Sequence, residues 1–340
     1  MSLSSGKGAK FAFVLALAFP AAAQAQTDSL FAGKTITINI GNTAGGSYDL
    51  YGRMVARFLG KHLPGNPSVV ASNMPGAGTL KAANYIYSVA PKDGTALGIV
   101  TETLALEQAL ANPAAQYDAA KFPWVGRVAS SNNIHMQWHT AKVQSVEEAK
   151  KTVTPVAAAG AGNTSEVIPN LLNAVIGTKF KVISGYPASA EGMLAMERGE
   201  VEGAASSWAA VKIGKKDWLA QKKIRIILQD VPVRSPELPD TPALGELGDN
   251  PADKALLGLY ASGGAIGRAF IAPPGTQPAA LKALQDGFMA MVKDPEFLGE
   301  MQKASLDVEP LPGDTLAAET RKTLATPQAV KDRVKSIFGR

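Results

Sequence analysis

The sequence has no cysteine and only three histidines among its 340 residues. Without cysteine the chain forms neither disulfides nor thiolate metal sites, and it offers no thiol nucleophile. Charged residues make up 19% of the chain and hydrophobic residues 46%, which excludes disordered and coiled-coil compositions. The chain therefore has few of the cysteine and histidine side chains that commonly act in catalysis or bind metals. Its length favours about two domains.

The first 26 residues have the pattern of an export signal. Lys7 and Lys10 precede an apolar run at 11–19, and Ala23-Gln24-Ala25 fits a small-x-small cleavage site. The apolar run is too short to cross about 30 Å of hydrocarbon, which takes ~20 helical residues. We therefore expect cleavage near Ala25 and a mature protein in the periplasm. The alternative is a buried helix.

The charge balance does not indicate nucleic-acid binding. Loss of Lys7 and Lys10 with the signal lowers the formal net charge from +5 to +3, which is nearly neutral for this length. A local basic cluster is either a solvated face or a docking patch, and it comprises Lys212, Lys215, Lys216, Lys222, Lys223 and Arg225.

Short apolar runs alternate with helical patterns, which indicates an α/β fold. A strand at 35–40 is followed by a glycine-rich turn and by a helix from Tyr48, with Leu50, Val55, Phe58 and Leu59 on one face. A second unit of this kind covers 153–175. Other strands are predicted at 68–72, 96–100, 134–139, 179–183, 203–206 and 224–228, and other helices at 80–89, 190–198, 278–292 and 294–304, the last two closing the chain.

Two turns share the same short sequence, Gly41-Asn42-Thr43 and Gly162-Asn163-Thr164, each between a strand and a helix. Glycines allow close backbone approach, and a helix N-terminus presents unpaired amides with partial positive charge. Together they predict an anion site, with carboxylates as natural ligands. The alternative is a pair of ordinary tight turns with helix N-caps. Asp49, which follows the first turn, either caps or neutralises the helix start, or it contacts the ligand or shapes the turn.

Other cofactor and metal motifs are missing from the sequence. The segment from Gly160 through Gly162 to Ser165 lacks the third glycine of a dinucleotide fingerprint, and there is no P-loop or nucleophile elbow. His135 and His139 fall in an alternating strand pattern, which separates them by about 13 Å. We therefore expect no cofactor and no metal.

Several motifs in a fixed order resemble one family. The chain is similar, from about residue 34 to residue 303, to substrate-binding proteins of the tripartite tricarboxylate transporter family, the Bug-type periplasmic receptors. The motifs are Ala44-Gly45-Gly46-Ser47-Tyr48-Asp49 with Arg53, Asn73-Met74-Pro75-Gly76-Ala77-Gly78, Ala90-Pro91-Lys92-Asp93-Gly94-Thr95, 160–165, Gly185-Tyr186-Pro187 and Arg198-Gly199-Glu200-Val201-Glu202.

The resemblance implies two α/β lobes of the periplasmic-binding-protein type II architecture, joined by two crossing segments around a ligand cleft. It implies a first lobe of 26–123 with 231–340 and a second lobe of 124–230. The ligand residues carried over are Thr43, Ala44, Gly45, Gly46, Ser47, Asp49, Ala77, Gly78, Thr101, Glu102, Thr103, Gly160, Gly162, Asn163, Thr164, Ser165, Tyr186, Ala188, Ser189, Ser206 and Ser207.

The function implied is non-catalytic. A monomeric receptor would capture a small organic acid by hinge closure and pass it to integral-membrane permease subunits. Departures from the family pattern at Ala44, Met74 and Pro187-Ala188 leave the acid unidentified. One alternative is an exported enzyme acting on a carboxylate, with Asp49, Glu102 or Glu166 as base. The other is a ligand sensor that signals to a membrane kinase.

Overall fold

Two β-sheets, each covered by helices, organise the chain. The computed structural model describes residues 1–2, 29–158, 163–186 and 189–338. Apart from its first two residues, the predicted export signal lies outside these ranges. The mixed α/β fold confirms the predicted class, and none of the helices described is long and apolar enough to cross a membrane.

The first sheet has six strands in the order β11-β4-β10-β3-β1-β2. Strand β1 is parallel to both β2 and β3, whereas β10 runs antiparallel to β3 and β4. The strands are β1 (Thr35–Ile40), β2 (Ser68–Asn73), β3 (Ala96–Ile99), β4 (Trp124–Arg127), β10 (Ala269–Ile271) and β11 (Leu311–Pro312).

The second sheet has five strands in the order β7-β6-β8-β5-β9. Strand β6 is parallel to β7 and β8, and β5 is antiparallel to β8 and β9. The strands are β5 (Asn133–Trp138), β6 (Thr154–Ala158), β7 (Phe180–Ser184), β8 (Gly203–Ser207) and β9 (Ile224–Gln229).

Helices and short 3-10 turns connect these strands. The helices are α1 (Ser47–Leu59), α2 (Leu80–Ser88), α3 (Leu104–Ala109), α4 (Val146–Ala149), α5 (Thr164–Ile176), α6 (Ser189–Glu197), α7 (Trp208–Gly214), α8 (Lys216–Ala220), α9 (Pro251–Ala261), α10 (Gly263–Ile266), α11 (Pro278–Met291), α12 (Pro295–Lys303), α13 (Gly313–Leu324) and α14 (Gln328–Phe338). The 3-10 turns are Gly60–His62, Ala77–Thr79, Ala119–Lys121 and Leu244–Glu246.

Strand β1 and helix α1 show how the sequence positions the first turn. The isoleucines of β1 are fully buried, and Val55, Phe58 and Leu59 of α1 pack against them. Leu50 was expected on this face but is exposed, because α1 begins at Ser47 and turns Tyr51 inward instead. The helix start is thereby fixed over the carboxyl end of β1.

Two segments of chain pass between the sheets, at 128–132 and 230–268. Their backbones touch: a Cβ at Gly267, which has φ +53°, would lie 2.3 Å from the carbonyl oxygen of Ala129. A Cβ at Gly264 would lie 2.8 Å from that of Ser131. Glycine at both positions therefore allows the two crossing segments to lie side by side.

The lobe ranges remain a prediction. The sheet to which each strand belongs, and the core that each helix joins, suggest different boundaries at three places. The prediction puts Trp124–Arg127 in the second lobe, whereas this strand pairs in the six-stranded sheet. Helices α9 and α14 fall in the predicted first lobe, yet their side chains join the core cluster of α5 and β9. The polar helices α13 and α14 follow the two helices that were expected to close the chain, so that expectation was wrong.

Candidate functional site

The predicted ligand residues that the structure describes lie at the carboxyl ends of parallel strands. Parallel β1, β2 and β3 end in loops that hold 43–49, 77–78 and 101–103. Parallel β6 and β7 are followed by loops or helix starts that hold 163–165, 186 and 189, and β8 ends with 206–207. Such carboxyl edges are where open α/β sheets bind ligands. Gly160, Gly162 and Ala188 lie outside the described residues.

Asp49 organises the first loop. It is buried, and its carboxylate accepts hydrogen bonds from the Gly45 amide (2.9 Å), from Arg53 Nε (2.9 and 3.0 Å) and from Asn73 Nδ2 (2.8 Å). The bond from Arg53 lowers the pKa of Asp49 to about 2 against the opposing effect of burial, and the Gly45 and Asn73 bonds add to it. Asp49 therefore shapes the loop from within.

The turns after β2 and β3 pack against the first loop. A Cβ at Gly41 would lie 2.6 Å from Thr79 Cβ, so glycine is required for this approach. Thr79 Oγ1 accepts from the Thr101 amide at 3.0 Å, and the hydroxyls of Thr101 and Thr103 are 3.1 Å apart. These contacts place three predicted segments side by side. Ala77 and Gly78 are exposed beside them.

A buried ion pair lies beneath the start of α1. Arg268 Nη1 donates to Glu102 Oε2 at 3.0 Å, and the two side chains are 8% and 13% exposed. The Tyr48 hydroxyl donates to the same carboxylate, and the Ser131 hydroxyl donates to its other oxygen at 3.2 Å. Both oxygens of the Glu102 carboxylate therefore accept hydrogen bonds, from Tyr48 of the first lobe and from Ser131 and Arg268 of the crossing segments.

Arg268 also reaches Ser47, the first residue of α1. Its Nε donates to Ser47 Oγ at 3.0 Å, and its guanidinium stacks 4.1 Å from the centroid of the Tyr48 ring. Burial lowers the pKa of Arg268, but the negative charge and hydrogen bond of Glu102 oppose this effect, and the pKa of the arginine is raised. Because Ser47 Oγ accepts from a cation, its own hydrogen is left to donate. Burial and Glu102 raise the pKa of Tyr48, so Tyr48 stays neutral.

The second lobe presents a differently built helix start. Asn163 caps α5: its Oδ1 accepts from the Ser165 amide (3.0 Å) and hydroxyl (2.8 Å). The Ser165 amide is therefore already paired, as in the alternative of an ordinary tight turn with a helix N-cap. Helix α1, in contrast, has Gly46 at its N-cap and no side-chain cap. Ser207 caps α7 through the Ala210 amide (3.2 Å), and Ser206 is buried.

A cavity of about 280 Å³ joins the two carboxyl edges. Ser47 and Tyr51 from the first lobe line it together with Ser207 and Trp208 from the second, and Arg268 also contributes. A second cavity of about 50 Å³ lies between Thr103 and Thr164. Predicted residues from the two lobes therefore meet at two places. Thr43, Ala44, Gly45 and Gly46 are exposed in the same loop as Ser47.

The histidines and the basic cluster occupy other positions. His135 lies in β5 as expected but is buried, with Nε2 3.1 Å from the Asp230 carboxylate, and His139 is exposed. Among the lysines, Lys212 pairs with Glu237 (2.8 Å) and Asp307 (2.9 Å). Lys216 and Lys222 are exposed, as on a solvated face.

Sequence reasoning missed Arg268, Ser131 and the lining of the cavity by 231–237. Arg268 is 221 residues from Ser47, and the segment around 268 carries no motif that points to a ligand. The proline-rich segment 231–242 was interpreted as a connection, although Val231, Pro232 and Pro236 line the cavity. A lone arginine between two short apolar runs was the one signal available.

The fold and the shared cavity define the class: two-lobed α/β proteins with a ligand cleft between the lobes. The chain belongs to the family described as Tripartite tricarboxylate transporter family receptor, which it matches over residues 52–318. It is also 27% identical over 297 residues to the UPF0065 protein in gbd 5'region of Cupriavidus necator, covering 85% of this chain and 83% of that protein. The predicted family is confirmed.

Solved structures share the fold. A TctC solute binding protein from Polaromonas gives a TM-score of 0.66 at 19% identity, covering 90% of this chain and 98% of that one. An R. palustris protein solved with adipate gives 0.63 at 20% identity, covering 90% and 97%. MatC from Rhodopseudomonas palustris, with bound malate, gives 0.62 at 18% identity, covering 88% and 98%. The predicted two-lobed fold is confirmed.

Proposed function

We propose that this chain is a periplasmic receptor that binds a small organic carboxylate between its two lobes. It delivers the ligand to the membrane permease of a tripartite tricarboxylate-type transporter. The family supports the receptor role, and the adipate and malate bound by two proteins of the same fold support a carboxylate ligand.

The observation that carries the proposal is the arrangement at the start of α1. An uncapped helix N-terminus, the Ser47 hydroxyl and the buried Arg268 meet at a cavity that both lobes line. Helix N-terminal amides and a hydroxyl donor suit a carboxylate. We place the ligand carboxylate at Ser47, with the exposed loop residues Thr43–Gly46 beside it and Ser207 contributed by the second lobe.

The carboxylates that an enzyme would use as a base are already engaged. Asp49 is held by Arg53 and Asn73, and Glu102 by Tyr48 and Arg268. Glu166 accepts from Ser184 Oγ at 2.9 Å. This supports a receptor that returns its ligand unchanged.

The proposal is tested by a thermal-shift panel followed by calorimetric titration. A carboxylate at 100 times its Kd should stabilise the protein by ~2.7 kcal/mol, a rise in Tm of several degrees. Ser47→Ala should weaken binding at least 10-fold because a donor to the carboxylate is lost. Ser88→Ala, at the exposed C-terminal end of α2, is the matched control. Recovery of the ligand as a changed product, or no shift with any carboxylate, would refute the proposal.

Lys212 should stabilise the closed form of this receptor. It lies on α7 of the second lobe and binds Asp307 of the first, with its side chain 26% exposed. We expect Lys212→Met to weaken carboxylate binding by up to about 5-fold, because a partly exposed ion pair contributes up to about 1 kcal/mol. Titration at low and high salt checks this, since salt should reduce the affinity of the wild type more than that of the variant. Lys216→Met is the control, and an equal loss in both variants would contradict the role.

A further inference from the structure

We infer that the ligand is a monocarboxylate with an apolar body about the size of one ring, and that di- and tricarboxylates are poor ligands. This inference rests on the proposed function and deepens it, because it concerns the same cavity. It follows from three features: the charges around the cavity, the apolar character of its walls and its volume.

The cations around the cavity are already neutralised. Arg268 is held by Glu102 at 3.0 Å, and Arg234 is held by Glu246 through two bonds of 2.9 and 3.0 Å. A single lysine, Lys212, serves both Glu237 and Asp307. No lining cation of the described cavity is therefore left for a second ligand carboxylate.

Acidic side chains line the cavity as well. Glu237, Asp307 and Glu309 all contribute to its wall. The carboxylate of Glu309 accepts from the Ser130 hydroxyl, which adds no positive charge. A second carboxylate on the ligand would face these groups at close range, and like charges repel. One carboxylate can use the α1 amides, which carry partial positive charge.

Another part of the wall is apolar and partly aromatic. Trp208 and Tyr51 line it with Val231, Pro232, Val233 and Pro236. The indole Nε1 of Trp208 donates to Glu237 and the Tyr51 hydroxyl donates to the Asp307 carbonyl (3.1 Å), so both rings are held in place. Fixed rings of this kind offer flat apolar surface to a ligand body.

The volume agrees with a ligand of this size. A dry cavity of about 150 Å³ accepts benzene. The 280 Å³ cavity therefore has room for a ring or a short alkyl chain together with a carboxylate. The apolar body would be buried against Trp208 and the prolines, while the carboxylate stays at Ser47.

Calorimetric titration with two matched ligand pairs tests this inference. Hexanoate is compared with adipate, in which a carboxylate replaces the terminal methyl group, and phenylacetate with 1,4-phenylenediacetate, which adds one carboxymethyl group. We expect each monocarboxylate to bind at least 10-fold tighter than its partner. A preference for the dicarboxylate in both pairs would overturn the inference and leave the receptor function standing. Failure of every carboxylate to bind would overturn both.

Two variants separate the causes. Glu309→Gln should reduce the ratio of the adipate Kd to the hexanoate Kd several-fold, because it removes an acidic group from the cavity wall. The variant should fold, since Glu309 is exposed. Trp208→Ala should weaken phenylacetate about 10-fold. Each variant is checked by its melting curve, and a Trp208→Phe variant that retains most of the affinity confirms that the ring surface is what the ligand uses. An unchanged ratio in Glu309→Gln would contradict the role assigned to the acidic wall.

Discussion

Replacing Arg268 with methionine is expected to weaken carboxylate binding about 10- to 100-fold and to lower the free energy of unfolding by about 3–5 kcal/mol. Arg268 is 8% exposed and binds Glu102, Ser47 and the face of Tyr48. Its removal leaves the Glu102 carboxylate buried without a cation, and it frees Ser47 Oγ from the bond that orients its hydrogen. Chemical denaturation and titration measure the two effects separately.

The double variant Arg268→Met with Glu102→Gln distinguishes stability from binding. Glutamine removes the buried charge, so much of the stability should return, whereas the affinity should stay low because Ser47 is still not oriented. Arg198→Met, at a side chain 63% exposed, is the matched control and should change neither quantity appreciably. Full affinity in the double variant would contradict the positioning role of Arg268.

The fold could be predicted where the signal is local. Strand β1 begins and ends at the predicted residues, and β2, β3 and β5 differ by a residue or so. The hydrophobic patterns of a buried strand and of an amphipathic helix depend on neighbouring residues, so both can be recognised in a single sequence. Leu50 shows the limit: the period was right, but the start of α1 sets which residue faces inward, and Tyr51 takes that place.

Elements whose stability comes from distant partners could not be predicted in this way. Strand β10 has three residues and exists because β3 and β4 flank it. Helix α13 is polar along much of its length and buries Leu316, Thr320 and Thr323. Helix α9 did carry a local signal, since Asn250 caps it and Pro251 opens it.

The candidate site also has a part that local sequence predicts and a part that depends on distant residues. The loop after β1 could be located because glycine, hydroxyl residues and Asp49 are adjacent in sequence. Arg268, which lies beneath this loop, could not be located in this way, because it is 221 residues from Ser47 in the sequence. The two helix starts also differ in a way that their shared sequence conceals: Asn163 caps α5, whereas Asn42 lies too far ahead of α1 to do so.

Replacing Asp49 with alanine is expected to lower the free energy of unfolding by about 2–3 kcal/mol and to weaken carboxylate binding at least 10-fold. Three donors lose their acceptor: the Gly45 amide, Arg53 Nε and Asn73 Nδ2. The loop that presents Ser47 would then no longer be held against β2. Titration and chemical denaturation measure both effects. Asp286→Ala, at a side chain 64% exposed on α11, is the control.

The pH dependence identifies the charge as the cause. The pKa of Asp49 is lowered from 3.8 to about 2 by its bond to Arg53, so between these values the unfolded chain binds more protons than the folded one. The stability that Asp49 contributes is therefore present above about pH 4 and lost as the pH falls through 2. Because solvent reaches Arg53, we expect this contribution to be about 1–2 kcal/mol. The difference between wild type and Asp49→Asn should accordingly shrink from pH 7 to pH 2, and a constant difference would show that the carboxylate acts through its shape instead.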